Sequence, residues 1–239
     1  MKIALQSGTS GLVGMQLLHQ LIQTQEFDYV ISVGRRKLAL KHSKLIQLDG
    51  DLGKIDSWDW REKITSQTLG GEYNDLVDAL GNGKAEVYAF CSIGTTIKQA
   101  GSQDKFYQVD HDLVIGFAKW AKSLGATRFV YISSMGADAN SSVFYSRLKG
   151  EVESDLRTLG FDYLALLRPS LLLGHRHEFR LGEELMKIVS KPLVWLKLFK
   201  NIRPIFDHQV ARSMVKVAME SNRKGTEIIP SGVIQDLSK

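Results

Sequence analysis

Tyr145 and Lys149 stand four residues apart in the stretch FYSRLKGEVE, 144–153. On a helix that spacing puts both side chains on one face. A phenol with a reference pKa of about 10 is a poor acid–base group at neutral pH, and a lysine ammonium close by stabilises the phenolate and lowers that value. The lysine can also hydrogen-bond the ribose of a nicotinamide cofactor, which ties proton transfer to cofactor position. A serine hydroxyl from a neighbouring strand end would orient a substrate carbonyl, and Ser134 or Ser133 is placed for it. In such a constellation Tyr145 protonates the oxygen as hydride reaches the carbon. Many helices carry Y-x-x-x-K as an exposed pair; the order of features around this one is what makes it specific.

A second set of residues has the spacing to hold a phosphorylated cofactor. Gly8, Gly11 and Gly14 follow the apolar run 3–5 and precede a helical pattern at Leu17, Leu18, Leu21 and Ile22. Glycine lets the chain turn with positive φ and come close to a pyrophosphate, while the open N–H groups and positive end of the next helix face the anion. The spacing is G-x-x-G-x-x-G and not the commoner G-x-G-x-x-G. The next β-rich run, 28–33, is followed by Gly34, Arg35, Arg36 and Lys37. An acidic side chain at that tip would bind the free ribose hydroxyl of NAD. Two guanidinium forks stand there instead, and they fit the 2′-phosphate of NADP. The predicted cofactor is NADP, as NADPH.

These groups need a frame of strands and helices to bring them together. Hydrophobic patterning predicts a third strand over 45–48, surface-covering irregular structure over 57–66 and a short helix over 72–80. A near-continuous apolar strand over 85–93 leads to Gly94, Thr95 and Thr96, as in a parallel sheet covered on both faces. A long helix over 104–124 closes at Gly125; a fifth strand, 128–132, runs into Ser133 and Ser134, and a sixth, 164–167, into Arg168, Pro169 and Ser170. The alternation, with no linker and no repeat, predicts an α/β fold: a Rossmann-type doubly wound parallel sheet with helices on both faces. One domain is expected over 1–239, with roughly 171–239 supplying the part that covers the substrate.

Composition narrows the classes further. The 239 residues carry a net charge of +5 and a pI of about 9.2, but the basic residues are scattered, so nucleic-acid binding is not expected. The single cysteine, Cys91, allows no internal disulfide and no metal cluster, and its apolar surroundings predict a buried structural thiol. No window reaches about 18 uninterrupted apolar residues, and the chain enters a strand with no basic-then-apolar leader. A soluble cytoplasmic protein is the expectation.

Glycine turn, basic second-strand tip, Ser-Ser strand end and Tyr-Lys helix, in that order, resemble the short-chain dehydrogenase/reductase superfamily. The segments GTSGLVG (8–14), VGRRKL (33–38), GTT (94–96), VDHD (109–112), SSMGAD (133–138), YSRLKGEVE (145–153) and LRPSLLL (167–173) resemble its atypical branch of Tat-interacting-protein-like NADPH-binding proteins. The resemblance implies that Ser10, Gly11, Leu12 and Val13 line the diphosphate, that Arg35 and Arg36 hold the 2′-phosphate, and that Ile93 and Gly94 border the nicotinamide half. It implies Tyr145 and Lys149 as the active pair, and Leu172 and Arg180 as further cofactor contacts. Many members of the wider superfamily have an asparagine in the long central helix that anchors a water in a proton relay; here Asp110 stands there and adds a negative charge near the lysine.

The last third is the least legible. An amphipathic helix is expected over 182–189. Residues 192–206 interleave Trp195, Phe199 and Phe206 with Lys197, Lys200 and Arg203. A lid, a membrane-surface patch, or a core or dimer-contact segment all fit, the last being preferred. A helix over 207–221 follows, with His208 read as a cap or surface residue. The functional expectation is an NADPH-dependent oxidoreductase acting on a small carbonyl or alcohol, as monomer or homodimer. The alternative is an NADP(H)-binding redox-sensing or regulatory protein with little turnover.

Overall fold

The computed structural model describes residues 1–67, 73–174 and 201–239. Its main sheet contains β1 (Lys2–Ser7), β2 (Tyr29–Gly34), β3 (Leu45–Asp49), β4 (Glu86–Cys91), β5 (Ala126–Ile132), β6 (Tyr163–Arg168) and an edge strand, Gly225–Pro230. A two-residue pair, β7 (Leu172–Leu173) with β8 (Ile205–Phe206), lies apart from it, so the edge strand is β9. The main sheet is parallel throughout, in the order β3-β2-β1-β4-β5-β6-β9. Chain order therefore reverses between β1 and β4, which opens a crevice at the carboxyl ends of those strands.

Both faces of the sheet are covered, which is why its central strands are apolar on both sides. On one face Leu5, Ile31, Ala89 and Phe129 pack under α3 (Asn74–Gly81), α6 (Leu113–Ser123) and α7 (Phe144–Thr158). On the other, Ala4, Val30, Phe90 and Val130 pack under α1 (Leu12–Gln23) and α8 (Asp207–Met219), with Ile234 of α9 (Ser231–Leu237) at the margin. Cys91 is fully buried in the first layer, and burial pushes its thiol up to about 12.

Six strands of the main sheet fall where the apolar pattern puts them. Three expectations need correction. Residues 57–66 are not irregular: a 3-10 turn, Leu52–Ser57, is followed by α2 (Trp60–Thr65), whose first turn is capped by the Asp59 side chain accepting from the Glu62 N–H. The long helix over 104–124 is broken. After α4 (Ile97–Ala100) come α5 (Gln103–Tyr107) and one π turn over Gln108–Asp112, closed by the Leu113 N–H donating to the Gln108 carbonyl, and only then α6. Gly125 does close that last helix, at φ +85°. The third concerns the end of the chain, where β9 and α9 extend the main sheet and its cover beyond six strands. The helix expected over 182–189, most of the segment 192–206, and Arg180 lie outside the described residues. His208 is exposed at the start of α8. No helix among the described residues is long and apolar enough to cross a membrane.

Candidate active site

The glycine turn is built by contact as much as by flexibility. Gly8 sits at φ +83°, and a Cβ there would come within 2.4 Å of the Ser92 backbone just beyond β4. A Cβ on Gly14 would lie 2.0 Å from the Gly8 carbonyl oxygen, so only glycine lets α1 sit this close to the turn. The Gly11 N–H donates to the same carbonyl at 2.9 Å. Ser92 ties the turn to the neighbouring strand, its hydroxyl donating to the carbonyls of Ser7 and Gly8. Gly11 is the N-cap of α1, and no side chain caps that helix end or puts an acidic group in its first turn. A phosphate-sized anion would meet backbone donors there and no carboxylate from the helix's own first turn.

Ser10 is exposed on this turn, Val13 is buried beneath it, and Leu12 packs beside Gly174, where a Cβ would come within 2.5 Å of a Leu12 methyl. Arg35 and Arg36 are exposed immediately beyond β2, whose Val33 is paired in register with Ser7 of β1. The two guanidinium groups thus follow the strand tip beside the glycine turn. Among the described residues neither makes an ion pair.

A pocket opens at the other end of the crevice. Val13, Ile93, Gly94, Ser134, Tyr145, Lys149 and Leu172 line it together. These residues arrive from α1, the β4 exit, the β5 exit, α7 and β7. The structure therefore brings the tyrosine, the lysine and one end of the cofactor-binding set to a single cavity. Gly150, next to Lys149, is where α7 touches the loop after β5: a Cβ there would lie 2.1 Å from the Ala139 nitrogen.

The two serines have different surroundings. The Ser133 hydroxyl donates to Glu153 Oε1 at 2.5 Å, and the same buried carboxylate receives Arg168 through both Nε (2.9 Å) and an Nη (2.6 Å). Ser133 is thereby engaged in a bracket that joins β5, α7 and β6. Both serines line the pocket, and among the described residues Ser134 has no such engagement.

Lys149 is held by two groups. Its ammonium lies 2.9 Å from Asp110 Oδ1, with the two side chains only 4% and 2% exposed, and it donates to the Tyr131 hydroxyl at 2.9 Å. Burial alone would push the ammonium down; Asp110, with Tyr131 and Tyr145, outweighs that and holds it well above the usual lysine range. Burial pushes the Tyr131 phenol up, against the pull of Lys149. The second oxygen of Asp110 accepts the Thr95 N–H at 2.7 Å, which fixes the loop after β4. The π turn carries Asp110 to this position, and such turns recur at functional sites.

The patterning reading named the Thr95 loop but missed Tyr131 and the role of the Thr95 N–H. For Tyr131 a signal existed: a tyrosine inside an otherwise apolar buried strand needs a partner for its hydroxyl. Nothing in the pattern marks the Thr95 N–H. Among the described residues no group of three or more His, Cys, Asp or Glu side chains is placed to hold a metal ion.

A parallel sheet reversing at β1/β4, a glycine turn into a helix, and a Tyr-Lys pair beside a β5-end serine define the short-chain dehydrogenase/reductase class of Rossmann folds. Comparison with known proteins agrees. The chain is 34% identical to a mitochondrial FMP52-1 protein of Scheffersomyces stipitis over 92% of this chain and 89% of that one. It is 30% identical to a mitochondrial FMP52 protein of Eremothecium gossypii over 99% and 97%. It is also 34% identical to protein HTATIP2 of Rattus norvegicus over 75% and 66%. The chain belongs to the family of FMP52 and HTATIP2 proteins, and its fold is of the atypical short-chain dehydrogenase/reductase type.

No family model matches the chain. Among solved structures it resembles a short chain dehydrogenase family protein from Francisella tularensis (TM-score 0.62, 15% identity, 98% of each chain). A UDP-glucose 4-epimerase from Thermotoga maritima with UDP-glucose is similar as well (TM-score 0.61, 16% identity, 99% of this chain and 80% of that one). At these identities the likeness concerns the fold. The cytoplasmic expectation is corrected: FMP52 relatives matched over 91–99% of this chain bear names that place them in mitochondria. Composition and the lack of a long apolar window do not encode compartment, so that expectation had no physical footing.

Proposed function

We propose that the protein is an NADPH-dependent oxidoreductase acting on a small-molecule carbonyl or alcohol. The observation that carries this reading is the meeting of Tyr145, Lys149 and Ser134 at one pocket, in the same crevice as an uncapped, glycine-lined helix start. Gly8, Ser10, Gly11, Leu12, Val13 and Gly14 would hold the diphosphate, Arg35 and Arg36 the 2′-phosphate, and Ile93, Gly94 and Leu172 the nicotinamide half. Arg180 is a further proposed contact. A reduced nicotinamide supplies hydride when bound. Ser134 orients the substrate oxygen, Tyr145 passes it a proton from Oη, and Lys149 sits beside the tyrosine on the same helix face. The names of its FMP52 relatives support a mitochondrial setting for the protein. In this reading the chain is one domain whose residues from about 171 onward cover the substrate, and it works as a monomer or homodimer without nucleic acid.

One observation favours a second reading, a cofactor-binding regulator with little turnover: the lysine is already engaged by a buried carboxylate. Paired NADPH and NADH titrations, followed by NADPH oxidation with a panel of aldehydes and ketones, separate the two. The enzyme reading expects NADPH to bind at least tenfold more tightly than NADH, a gap of about 1.4 kcal/mol, and expects Arg35→Ala/Arg36→Ala to remove that preference. It also expects turnover that Tyr145→Phe abolishes. Equal turnover in Tyr145→Phe sinks the catalytic assignment, and tight NADPH binding with no turnover across the panel selects the regulator.

A further inference from the structure

A lone ammonium beside a phenol stabilises the phenolate and makes the phenol more acidic. In this site the ammonium is not alone. Asp110 reaches it at 2.9 Å from the π turn, with both partners buried, and the carboxylate's other oxygen receives the Thr95 N–H at 2.7 Å. A donor thus sits on each oxygen of Asp110. Together Lys149 and Asp110 present a dipole of no net charge. The field of opposed charges in contact falls off faster with distance than that of a single charge.

The two other titratable groups buried beside them add no charge. From β4 comes Cys91 and from β5 comes Tyr131, and burial raises both, so both are neutral at neutral pH. Glu153, one turn further along α7, meets Arg168 at 2.6 Å and Arg157 at 3.8 Å, and Arg147 on the same helix meets Glu151 at 3.9 Å.

We propose that Asp110 cancels at Tyr145 the charge supplied by Lys149, so that the resting site keeps Tyr145 as a proton donor and is set to reduce a carbonyl rather than to oxidise an alcohol. This rests on the reading of Tyr145 as the proton-transfer group. Reduction breaks the Oη–H bond of Tyr145 and forms an O–H bond at the carbonyl oxygen, while hydride from a reduced nicotinamide ends on the carbonyl carbon; the phenolate left behind regains its proton from solvent before the next turnover. Oxidation of an alcohol would need the phenolate at the start, and the paired carboxylate disfavours it. Asp110 is on this account a positioning residue that acts through Lys149. Tyr131 fixes the third side of the ammonium.

Tyrosinate absorbance tests this without a substrate. The wild-type spectrum minus that of Tyr145→Phe isolates Tyr145 from the other six tyrosines. No tyrosinate from Tyr145 is expected near pH 8; its presence there overturns the proposal. Asp110→Asn keeps an oxygen for the Thr95 N–H and removes only the charge. At about pH 9, Asp110→Asn minus Asp110→Asn/Tyr145→Phe should show a severalfold larger tyrosinate signal than the wild-type pair, since lowering a pKa by about one raises the ratio of tyrosinate to phenol tenfold. No gain in a folded Asp110→Asn protein also overturns it. If that variant does not fold, the wild-type difference spectrum decides alone. Turnover retained by Tyr145→Phe would mark failure of the functional reading and leave the optical result to judge the charge cancellation separately.

Discussion

Replacing Asp110 by leucine strands the Lys149 ammonium where its side chain is only 4% exposed; replacing Lys149 by methionine strands the carboxylate, only 2% exposed. Breaking a buried pair from one side typically costs about 3–5 kcal/mol, because the remaining charge loses its partner and stays out of water. If the two acted independently, the double variant would lose about 6–10 kcal/mol. The structure gives a smaller figure. With both charges gone, what is lost is the acceptor for the half-buried Thr95 N–H and the partner of the Tyr131 hydroxyl, each worth about 1–2 kcal/mol at the lower end of the range. The double variant should therefore lose about 2–4 kcal/mol, less than or close to either single one. Urea unfolding followed by the fluorescence of the four tryptophans measures all four corners of the cycle. Loss in the double equal to the sum of the singles, within about 0.5 kcal/mol, would refute the reasoning. The pH dependence has a definite sign. Lys149 is held above its unfolded value, so its contribution is fully present below about pH 10 and is lost as pH rises through the folded value. Wild type should show that alkaline loss, and the double variant should not.

Two further substitutions separate packing from chemistry. Gly150→Ala places a methyl 2.1 Å from the Ala139 nitrogen, so α7 must shift; about 1–3 kcal/mol of stability should be lost by urea unfolding, with NADPH-linked turnover falling further because Lys149 is the next residue. Ser133→Ala removes a donor from the Glu153–Arg168 bracket and should lower stability by about 1–2 kcal/mol. Ser134→Ala should leave the unfolding midpoint within about 0.5 kcal/mol of wild type and lower turnover instead, and the reverse outcome would exchange their roles.

The parts of the fold legible in the sequence were those where one force acted alone. Strands buried on both faces leave continuous apolar runs, and six of the seven in the main sheet could be placed from them. The seventh, Gly225–Pro230, is an edge strand carrying Thr226, Glu227 and exposed Ile228, so its pattern has no apolar run to find. The cap that starts α2 was visible as Asp59 with Glu62 three residues on, but Trp58 and Trp60 among charges obscured it. Spacing along α7 sufficed for Tyr145 and Lys149, because one helix positions both. What positions the lysine comes from two other elements and has no local pattern. Tyr131 is 18 residues away from Lys149 along the chain, and Asp110 is brought in by a helix irregularity.

That irregularity follows from two demands on the same stretch. Phe106, Asp110 and Val114 are all buried, and each is four residues from the next. In a regular helix of 3.6 residues per turn, each step of four overshoots one turn, and the two steps together would carry Val114 about 80° round from Phe106. A wider turn, closed five residues back, reduces the overshoot, so an apolar side chain before it and one after it can enter the same core layer with the carboxylate between them. An unbroken α-helix from Gln103 to Ser123 would turn Asp110 away from Lys149 or lift one of its apolar neighbours out of the core. The backbone departure and the buried ion pair therefore belong to one arrangement: stabilising the helix by straightening it would remove the charge that faces Lys149.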